Sequence, residues 1–192
     1  MTNDAPAVPQ RRARDSEATR RAILTSAIDA FSQSGYDGAS TRDIAREAGV
    51  DPRLITRYYG SKEALFEQVV EEVYRHPLMM IPGENREVAK ALLSDSSESA
   101  KGLLLTIRSS GNERAVEIMR EHLEHHYQRE LAGALPGHDP VVRAALLIAI
   151  CSGVQMQRNV LRNSALQDSA SDEAIVERLA AALDLVGSED LG

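Results

Sequence analysis

The stretch STRDIAREAGVDPRLITRYYGSKEALF, residues 40–66, predicts three helices in close succession. The first begins at Ser40, whose side-chain oxygen can accept a backbone N–H bond, and Asp43 adds negative charge to its first turn. It ends at Gly49, since glycine adopts the left-handed conformation that closes a helix without steric cost. A tight turn at Gly49 and Val50 therefore separates the first helix from the second.

The second helix of this stretch is short. Asp51 caps it, and Pro52 occupies its first turn, where a missing N–H costs nothing. It ends near Gly60, and Ser61 caps a third helix that we expect to run to His76. The third helix has apolar residues at helical spacing, which predicts a buried stripe formed by Leu65, Phe66, Val69, Val70 and Val73.

The short helix has an inner and an outer face. Ile55 and Tyr59 lie four residues apart and share the inner face. The remaining arc carries Arg53, Leu54 and Arg57. In the major groove of DNA, arginine bonds both guanine acceptors and an apolar side chain contacts the thymine methyl group. These three residues are therefore candidates for reading bases, and the alternative is that they form ordinary solvated surface.

Several motifs accompany these helices: Ala27, Ala30 and Phe31 in an opening helix, Gly35-Tyr36, Ser40-Thr41-Arg42, Ala45, Gly49-Val50 and Tyr58-Tyr59-Gly60-Ser61-Lys62. Together they make residues 16–66 resemble the N-terminal domain of TetR-family transcriptional regulators. In that family the short helix enters the major groove, the start of the preceding helix touches phosphate or a base, and the later lysine binds phosphate. The resemblance implies DNA contacts by Thr41, Arg42, Arg53, Leu54, Thr56, Arg57, Tyr58 and Lys62. Many members have a Thr-Leu-Tyr triplet where this chain has Leu54-Ile55-Thr56, so the operator sequence does not transfer.

Charge is unevenly distributed along the chain. The net charge of −7 by itself argues against a nucleic-acid partner. Residues 9–62, however, carry ten Lys/Arg and seven Asp/Glu, whereas residues 63–192 carry twelve and twenty-one. The basic excess lies where double-stranded DNA is expected, and the acidic remainder repels phosphate and so orients the basic end toward the duplex.

The composition indicates a cytoplasmic protein of one or two domains. The chain has 192 residues, and its single cysteine, Cys151, excludes an internal disulfide and a cysteine-based metal site. Its polar start does not resemble a signal peptide, and no apolar run approaches the ~20 residues that span a bilayer. We expect no membrane partner, no cofactor and no metal. No phosphate-binding glycine loop or catalytic signature indicates an enzyme, and a helical protein-binding adaptor is the remaining alternative.

Residues 1–15 are rich in Ala, Pro and Arg and are predicted to form a disordered basic arm. Its Arg11, Arg12 and Arg14 either add phosphate or minor-groove contacts or belong to a solubilising tail. After a Pro/Gly break at residues 76–85, the sequence predicts helices over 84–93, 98–108, 112–132, 140–163 and 172–187. The expected fold class is all-α. It comprises a three-helix helix-turn-helix DNA-binding domain at 16–62 and a C-terminal helical ligand-binding and dimerisation domain at 63–192.

The last two predicted helices are too apolar to face water. One carries an apolar side made of Val142, Ala145, Leu146, Ala149, Gly153, Met156 and Val160, and the other offers Ile175, Leu179 and Leu183. We expect both helices to pair with their copies in a homodimer, as the resemblance also implies, and monomer core is the alternative. A two-fold dimer places its reading helices about 34–36 Å apart, so the operator should be a near-palindrome.

The predicted helix over residues 112–132 contains a histidine cluster, His122, His125 and His126. His122 and His126 share a face at a spacing that suits zinc, but no HExxH motif accompanies them. A small-molecule pocket is suggested by a mixed apolar and polar wall of Met119, His122, Leu123, His126 and Tyr127. A plain packed helix explains the pattern at least as well. The resemblance implies a repressor released by an unidentified small-molecule effector, with the long helix from Ser61 as the lever.

Overall fold

The computed structural model describes residues 8–75, 78–94, 97–167 and 172–189, except the side chains of 8–14 and 97–100. The α-helices in these ranges are α1 (Val8–Gly38), α2 (Thr41–Glu47), α3 (Arg53–Tyr59), α4 (Lys62–Val73), α5 (Asn85–Leu93), α6 (Ser97–Ser109), α7 (Glu113–His122), α8 (Arg129–Ala134), α9 (Pro140–Gln155) and α10 (Glu173–Gly187). A π-helical segment, Leu123–Gln128, joins α7 to α8, and a second, Met156–Val160, extends α9. The all-α prediction is confirmed.

Local hydrogen bonds fix the turn between α2 and α3. Ser40 Oγ accepts the Asp43 N–H bond at 3.1 Å and donates to the Asp43 carboxylate at 2.8 Å. At the other end of α2, Gly49 has a φ of +68°. The N–H groups of Gly49 and Val50 bond carbonyls in the last turn of α2, which is a Schellman closure. The predicted start and end of this helix are therefore confirmed.

The next two helices also begin at their predicted caps. Asp51 Oδ1 accepts a hydrogen bond from the Arg53 N–H at 2.8 Å. Arg53 is the first residue of α3, so Asp51 caps the helix from two positions earlier, with Pro52 between them. Ser61 Oγ accepts the Ala64 N–H bond at 3.0 Å and starts α4. Because α3 and α4 are separated by only two residues, the position of α4 sets that of α3.

Two helices differ in length from the prediction. α1 begins at Val8, so the disorder predicted for residues 1–15 is wrong over 8–15, and residues 1–7 lie outside the described ranges. The reason is that Gln, Arg and Ala are strong helix formers, and the proline of this stretch falls in the first turn, where it costs little. α4 ends at Val73, and His76, the predicted end, lies outside the described residues.

Two apolar cores hold the helices together. The first packs α1–α4 against α6 and α7, around Phe31, Tyr36 and Phe66, whose ring centroids lie 5.0 to 6.1 Å apart. The second packs α5, α8, α9 and α10 together. Since the buried side chains of α4 belong to the first core, the predicted domain boundary at residues 62/63 lies inside that core.

In the second region each predicted helix forms, although π-helical segments interrupt two of them. The stretch Pro140–Val160 is the one helix in the described ranges long and apolar enough to cross a bilayer, with a mean hydropathy of 1.4. The sequence analysis did not expect this apolar stretch, because Arg143 and Arg158 interrupt it. Both guanidinium groups are held by the protein: Arg143 donates to the Gly187 carbonyl at 2.8 Å and Arg158 to the Ser94 carbonyl at 3.0 Å.

Candidate nucleic-acid interface

Helix α3 has one buried and one exposed face. Ile55 and Tyr59 are only 2% and 8% exposed, as their spacing predicts. Arg53, Thr56 and Arg57 are exposed. The two arginines lie four residues apart and therefore on the same side of the helix. This arrangement leaves both guanidinium groups available for the paired acceptors of guanine.

Leu54 and Tyr58 are half-buried against the first core, unlike the arginines beside them. The Tyr58 hydroxyl accepts a hydrogen bond from Ser16 Oγ at 3.2 Å, so its own proton remains available to a phosphate oxygen. Leu54 presents only part of its side chain to solvent, which limits the surface it can offer to a thymine methyl group.

Helix α1 supports α3 from behind. The Tyr59 hydroxyl donates to the carbonyl oxygen of Arg20 at 2.7 Å, and the Arg20 guanidinium carbon lies 5.1 Å from the Tyr59 ring centroid. Burial raises the pKa of the Tyr59 hydroxyl, so that it stays protonated and remains a donor. A directional bond, in addition to packing, therefore sets the angle between α3 and α1.

The start of α2 carries the two remaining candidates of the helix-turn-helix unit. Thr41 is half-buried and Arg42 is exposed. The neighbouring Asp43 accepts from Ser40 Oγ and pairs with Arg46 at 2.6 Å. Two contacts lower the pKa of the Asp43 carboxyl: the hydrogen bond with Ser40 has the larger effect, and the contact with Arg46 comes second. Because this carboxylate is already engaged, it opposes an approaching phosphate less than a free one would.

Lys62 lies at the first position of α4 and is half-buried. Its ammonium nitrogen is 4.7 Å from the centroid of the Tyr36 ring, within the range of a cation–π contact. Burial lowers the pKa of Lys62, and the charge of Asp37 opposes this effect. The lysine that the resemblance assigns to phosphate is therefore held against an aromatic ring of the same chain.

The far end of α1 is joined to α6. The Tyr36 N–H donates to Ser109 Oγ at 3.0 Å, and Ser109 is only 1% exposed. Gly35 interrupts the helical backbone with a φ of 69° and a ψ of −180°. A Cβ placed on Gly35 would lie 2.2 Å from the carbonyl oxygen of Arg108, so this joint requires a glycine. We call this contact the α1–α6 joint.

Two further contacts attach the corner between α6 and α7 to α1 and α4. Asn112 Nδ2 donates to the Asp37 carboxylate at 2.8 Å, and Arg114 Nε donates to the Glu63 carboxylate at 2.7 Å. The sequence analysis missed these residues and Ser109, since their partners lie 51 to 75 positions away and leave no local pattern.

Two adjoining grooves lie between α4 and the segment from α7 to α8. The larger, about 410 Å³, is lined by Glu67, Gln68, Val70, Glu71, Ile118, Glu121, His122, His125 and His126. The smaller, about 200 Å³, is lined by Glu71, Tyr74, Arg75, His122, His126, Tyr127 and Glu130. Of the predicted pocket wall, the structure thus brings together His122, His126 and Tyr127.

The other two predicted wall residues do not line these grooves. Met119 is 7% exposed and packs in the first core. Leu123 opens the π-helical segment and is absent from both linings, because it directly follows the groove residue His122 and therefore points to a different side of the helix. Among the described residues, no group of three His, Cys, Asp or Glu side chains is placed to hold a metal ion.

The outer side of α9 exposes most of the predicted dimer residues. Val142, Leu146, Met156 and Val160 are 59%, 51%, 42% and 37% exposed, and Ala145, Ala149 and Gly153 are exposed as well. In α10 the prediction is wrong for Leu183, which is fully buried in the second core, whereas Ile175 and Leu179 are half-buried against apolar neighbours of the same chain and stay predictions. α10 is apolar on two sides, and its outward side carries Ala174, Ala181 and Leu185 instead.

A short exposed helix that carries arginines, packed on two supporting helices and joined to a larger helical body, defines the helix-turn-helix class of DNA-binding proteins. Residues 23–69 match the family described as "Bacterial regulatory proteins, tetR family". Residues 85–186 match the "Tetracyclin repressor-like, C-terminal domain". The chain therefore belongs to the TetR family of transcriptional regulators, as its motifs indicated.

Individual relatives agree with this family. The HTH-type transcriptional repressor SCO4008 of Streptomyces coelicolor is 30% identical over 131 residues, which are 66% of this chain and 68% of that protein. The HTH-type transcriptional regulator RutR of Escherichia coli is 38% identical over 73 residues, 38% of this chain. The matched part spans only 34% of RutR.

Solved structures show the same fold along most of the chain. A TetR-family transcriptional regulator from Rhodococcus sp. superimposes with a TM-score of 0.67 at 22% identity, covering 90% of this chain and 100% of the other. NalD of Pseudomonas aeruginosa, the secondary repressor of the MexAB-OprM multidrug efflux pump, superimposes with a TM-score of 0.64 at 24% identity. That match covers 93% of this chain and 100% of NalD.

Proposed function

We propose that this regulator is a homodimeric repressor that binds a near-palindromic operator and is released by a small-molecule effector. The observation that carries the proposal is the geometry of α3. Ile55 and Tyr59 hold its inner face in the core, while Arg53 and Arg57 stand exposed on its outer face. A helix presented in this way fits the major groove and offers two bidentate donors to base edges.

The proposed DNA contacts divide into two groups. Arg53, Thr56 and Arg57 are placed to reach base edges, with Leu54 contributing its exposed part. Thr41 and Arg42 begin α2, Lys62 begins α4 and Tyr58 lies on α3 itself; all four are assigned to the phosphate backbone. Arg42 is exposed, and Tyr58 keeps a free hydroxyl proton. The Lys62 ammonium, which lies over the Tyr36 ring, has three N–H donors and so has donors to offer to a phosphate oxygen.

The outer side of α9 supports the homodimer. Large apolar side chains such as Leu146, at 51% exposure, lie beside the small residues Ala145 and Ala149, so a second backbone can approach closely. Burying such a surface removes apolar area from water, the main driving force for association. Pairing also covers the apolar side of Pro140–Val160, in keeping with a cytoplasmic protein rather than a membrane-spanning one.

The two grooves beside α4 are the proposed effector site. They lie between α4, which leads directly into the DNA-facing unit, and the segment that includes His122 and His126. A ligand that prefers a different separation of these helices would move α4 and with it α3. The coupling needed is typically ~1–3 kcal/mol, which corresponds to a change in DNA affinity of about 5- to 150-fold.

Selection of bound duplexes from a random DNA pool tests the DNA-binding part of the proposal. The full chain should enrich a near-palindrome whose half-sites are centred about 10–10.5 bp apart, or a multiple of this spacing. Arg57→Ala should lose the preference at one position of each half-site, whereas Arg129→Ala, an exposed arginine on α8, should enrich the same motif as the wild type. Failure of the wild-type chain to enrich any sequence would refute the proposal and favour a protein-binding adaptor.

A thermal-shift screen tests the effector. Compounds that raise Tm are binders, and those that occupy the grooves should lower the affinity for the selected duplex. If every such binder leaves DNA affinity unchanged, the chain binds DNA without effector control.

A further inference from the structure

The side chain of Arg114 joins α7 to the first turns of α4. Arg114 is the second residue of α7, and its Nε donates to a carboxylate oxygen of Glu63 at 2.7 Å. Its Nη1 donates to Glu117, one turn further along α7, at 2.6 Å, and a Glu67 oxygen of α4 lies 3.9 Å from Nη2. The donors of a guanidinium group are fixed in a planar fork, so partners on two helices define its orientation. We call Glu63, Glu67, Arg114 and Glu117 the Arg114 cluster.

The start of α7, from which Arg114 extends, is itself fixed to the end of α1. The oxygen of the Asn112 amide caps α7, and the nitrogen of the same amide donates to the Asp37 carboxylate at 2.8 Å. Ser109, three residues earlier, accepts a hydrogen bond from the Tyr36 N–H at 3.0 Å. Two hydrogen bonds to neighbouring residues of α1 therefore hold the base of the Arg114 side chain in place.

Both partners of the Lys62 cation–π contact are held by residues of this corner between α6 and α7. Lys62 directly precedes Glu63, so the bond from Arg114 acts on the turn of α4 that carries the lysine. The ring under the ammonium group belongs to Tyr36, whose N–H is bonded to Ser109. Burial, and next the charge of Glu63, raise the pKa of Tyr36, whereas Arg114 lowers it, so both charges act close to this ring.

We propose that Arg114 is a positioning residue for DNA binding, which orients Lys62 toward the phosphate backbone through Glu63 and does not itself touch DNA. With the bond between Arg114 and Glu63 in place, the first turn of α4 presents the lysine in one orientation. Without it, the turn and the lysine sample more orientations, and the phosphate contact must then restrict them at an entropic cost. This inference rests on the proposed function, in which Lys62 binds phosphate.

The expected size of the effect follows from the exposure of the cluster. The side chains of Arg114 and Glu63 are 45% and 41% exposed, so water screens their attraction. Exposed ion pairs change an equilibrium by up to about fivefold, and Arg114→Ala should therefore weaken DNA binding by about two- to fivefold. The loss should be equal on every duplex, and the salt slope should fall by up to ~1, as for a lost phosphate contact. A residue that only stabilises the fold leaves that slope unchanged.

Glu63→Ala separates positioning from simple charge. Removing a carboxylate near DNA reduces the repulsion of phosphate and frees the Arg114 guanidinium, so charge alone predicts tighter binding. The proposal predicts the opposite, a loss similar to that of Arg114→Ala. The double variant Arg114→Ala/Glu63→Ala should bind no more weakly than either single variant, because both changes remove the same bond. Charge alone predicts instead that the double variant returns to the affinity of the wild type.

Arg86→Ala is the matched control. Arg86 is likewise the second residue of its helix, α5, is 43% exposed, and pairs with Glu173 and Glu177 of α10. These helices belong to the second core, away from α3 and α4. Arg86→Ala should therefore keep the DNA affinity and the salt slope of the wild type.

Fluorescence anisotropy with the selected duplex, at several salt concentrations, measures all these variants, and circular dichroism at the same temperature checks that each is folded. Tighter binding by Glu63→Ala, or an unchanged affinity and salt slope in Arg114→Ala, overturns the inference and leaves the proposed function standing. A loss in Arg86→Ala equal to that in Arg114→Ala also overturns it. If the wild-type chain binds no DNA, the proposed function fails and the inference fails with it.

Discussion

Replacing Gly35 with alanine should open the α1–α6 joint, and the structure allows the cost to be worked out. Gly35 has a φ of 69° and a ψ of −180°, a region of backbone space that is essentially restricted to glycine. Holding a side chain there costs of order 1–3 kcal/mol. The new Cβ would also lie 2.2 Å from the Arg108 carbonyl oxygen, a backbone atom that cannot rotate away.

The steric overlap adds an overpacking cost of about 1–3 kcal/mol, for a total of roughly 2–6 kcal/mol. Urea unfolding at a fixed protein concentration measures this loss directly. Gly49→Ala is the matched control, since Gly49 has a similar φ of +68° but an added Cβ there meets nothing within 4 Å. Its cost should be only the left-handed strain, about 1–2 kcal/mol. Equal losses in the two variants would show that the joint does not depend on the close approach of α6.

Three further predictions concern other parts of the chain. Ser40→Ala should lower the free energy of unfolding by about 1 kcal/mol, because α2 loses its N-cap; an unchanged urea midpoint would contradict the capping role. Leu146→Asp should give monomers in light scattering at micromolar concentration, and a persistent dimer would place the interface elsewhere. The Cys151 thiol is 6% exposed and burial raises its pKa to about 12, so the folded protein should resist iodoacetamide at pH 8, and fast labelling would disprove this burial.

The helix-turn-helix unit was predictable because its boundaries are decided within a few residues. Ser40, Asp51 and Ser61 each accept the capping bond that their position predicts, and Gly49 has the expected positive φ. The buried face of α3 followed in the same way from the four-residue spacing of its apolar side chains.

Other features depend on partners far away in the sequence. Ser109 bonds the backbone of Tyr36 across 73 positions, and neither residue type signals such a contact. Leu183 was assigned to the wrong side of α10 because apolar residues occur on two sides of that helix, and only packing against the second core selects one.

The central claim is that the exposed arginines of α3 read base edges, and a binding profile tests it most directly. The affinity of Arg57→Ala should be measured against the selected duplex and every single-base variant of one half-site, over a range of salt concentrations. We predict a loss of ~1–3 kcal/mol on the selected duplex and relaxed discrimination at one position, whereas Lys62→Ala should weaken all duplexes about equally. Uniform weakening by Arg57→Ala, with every base preference kept, would contradict the claim.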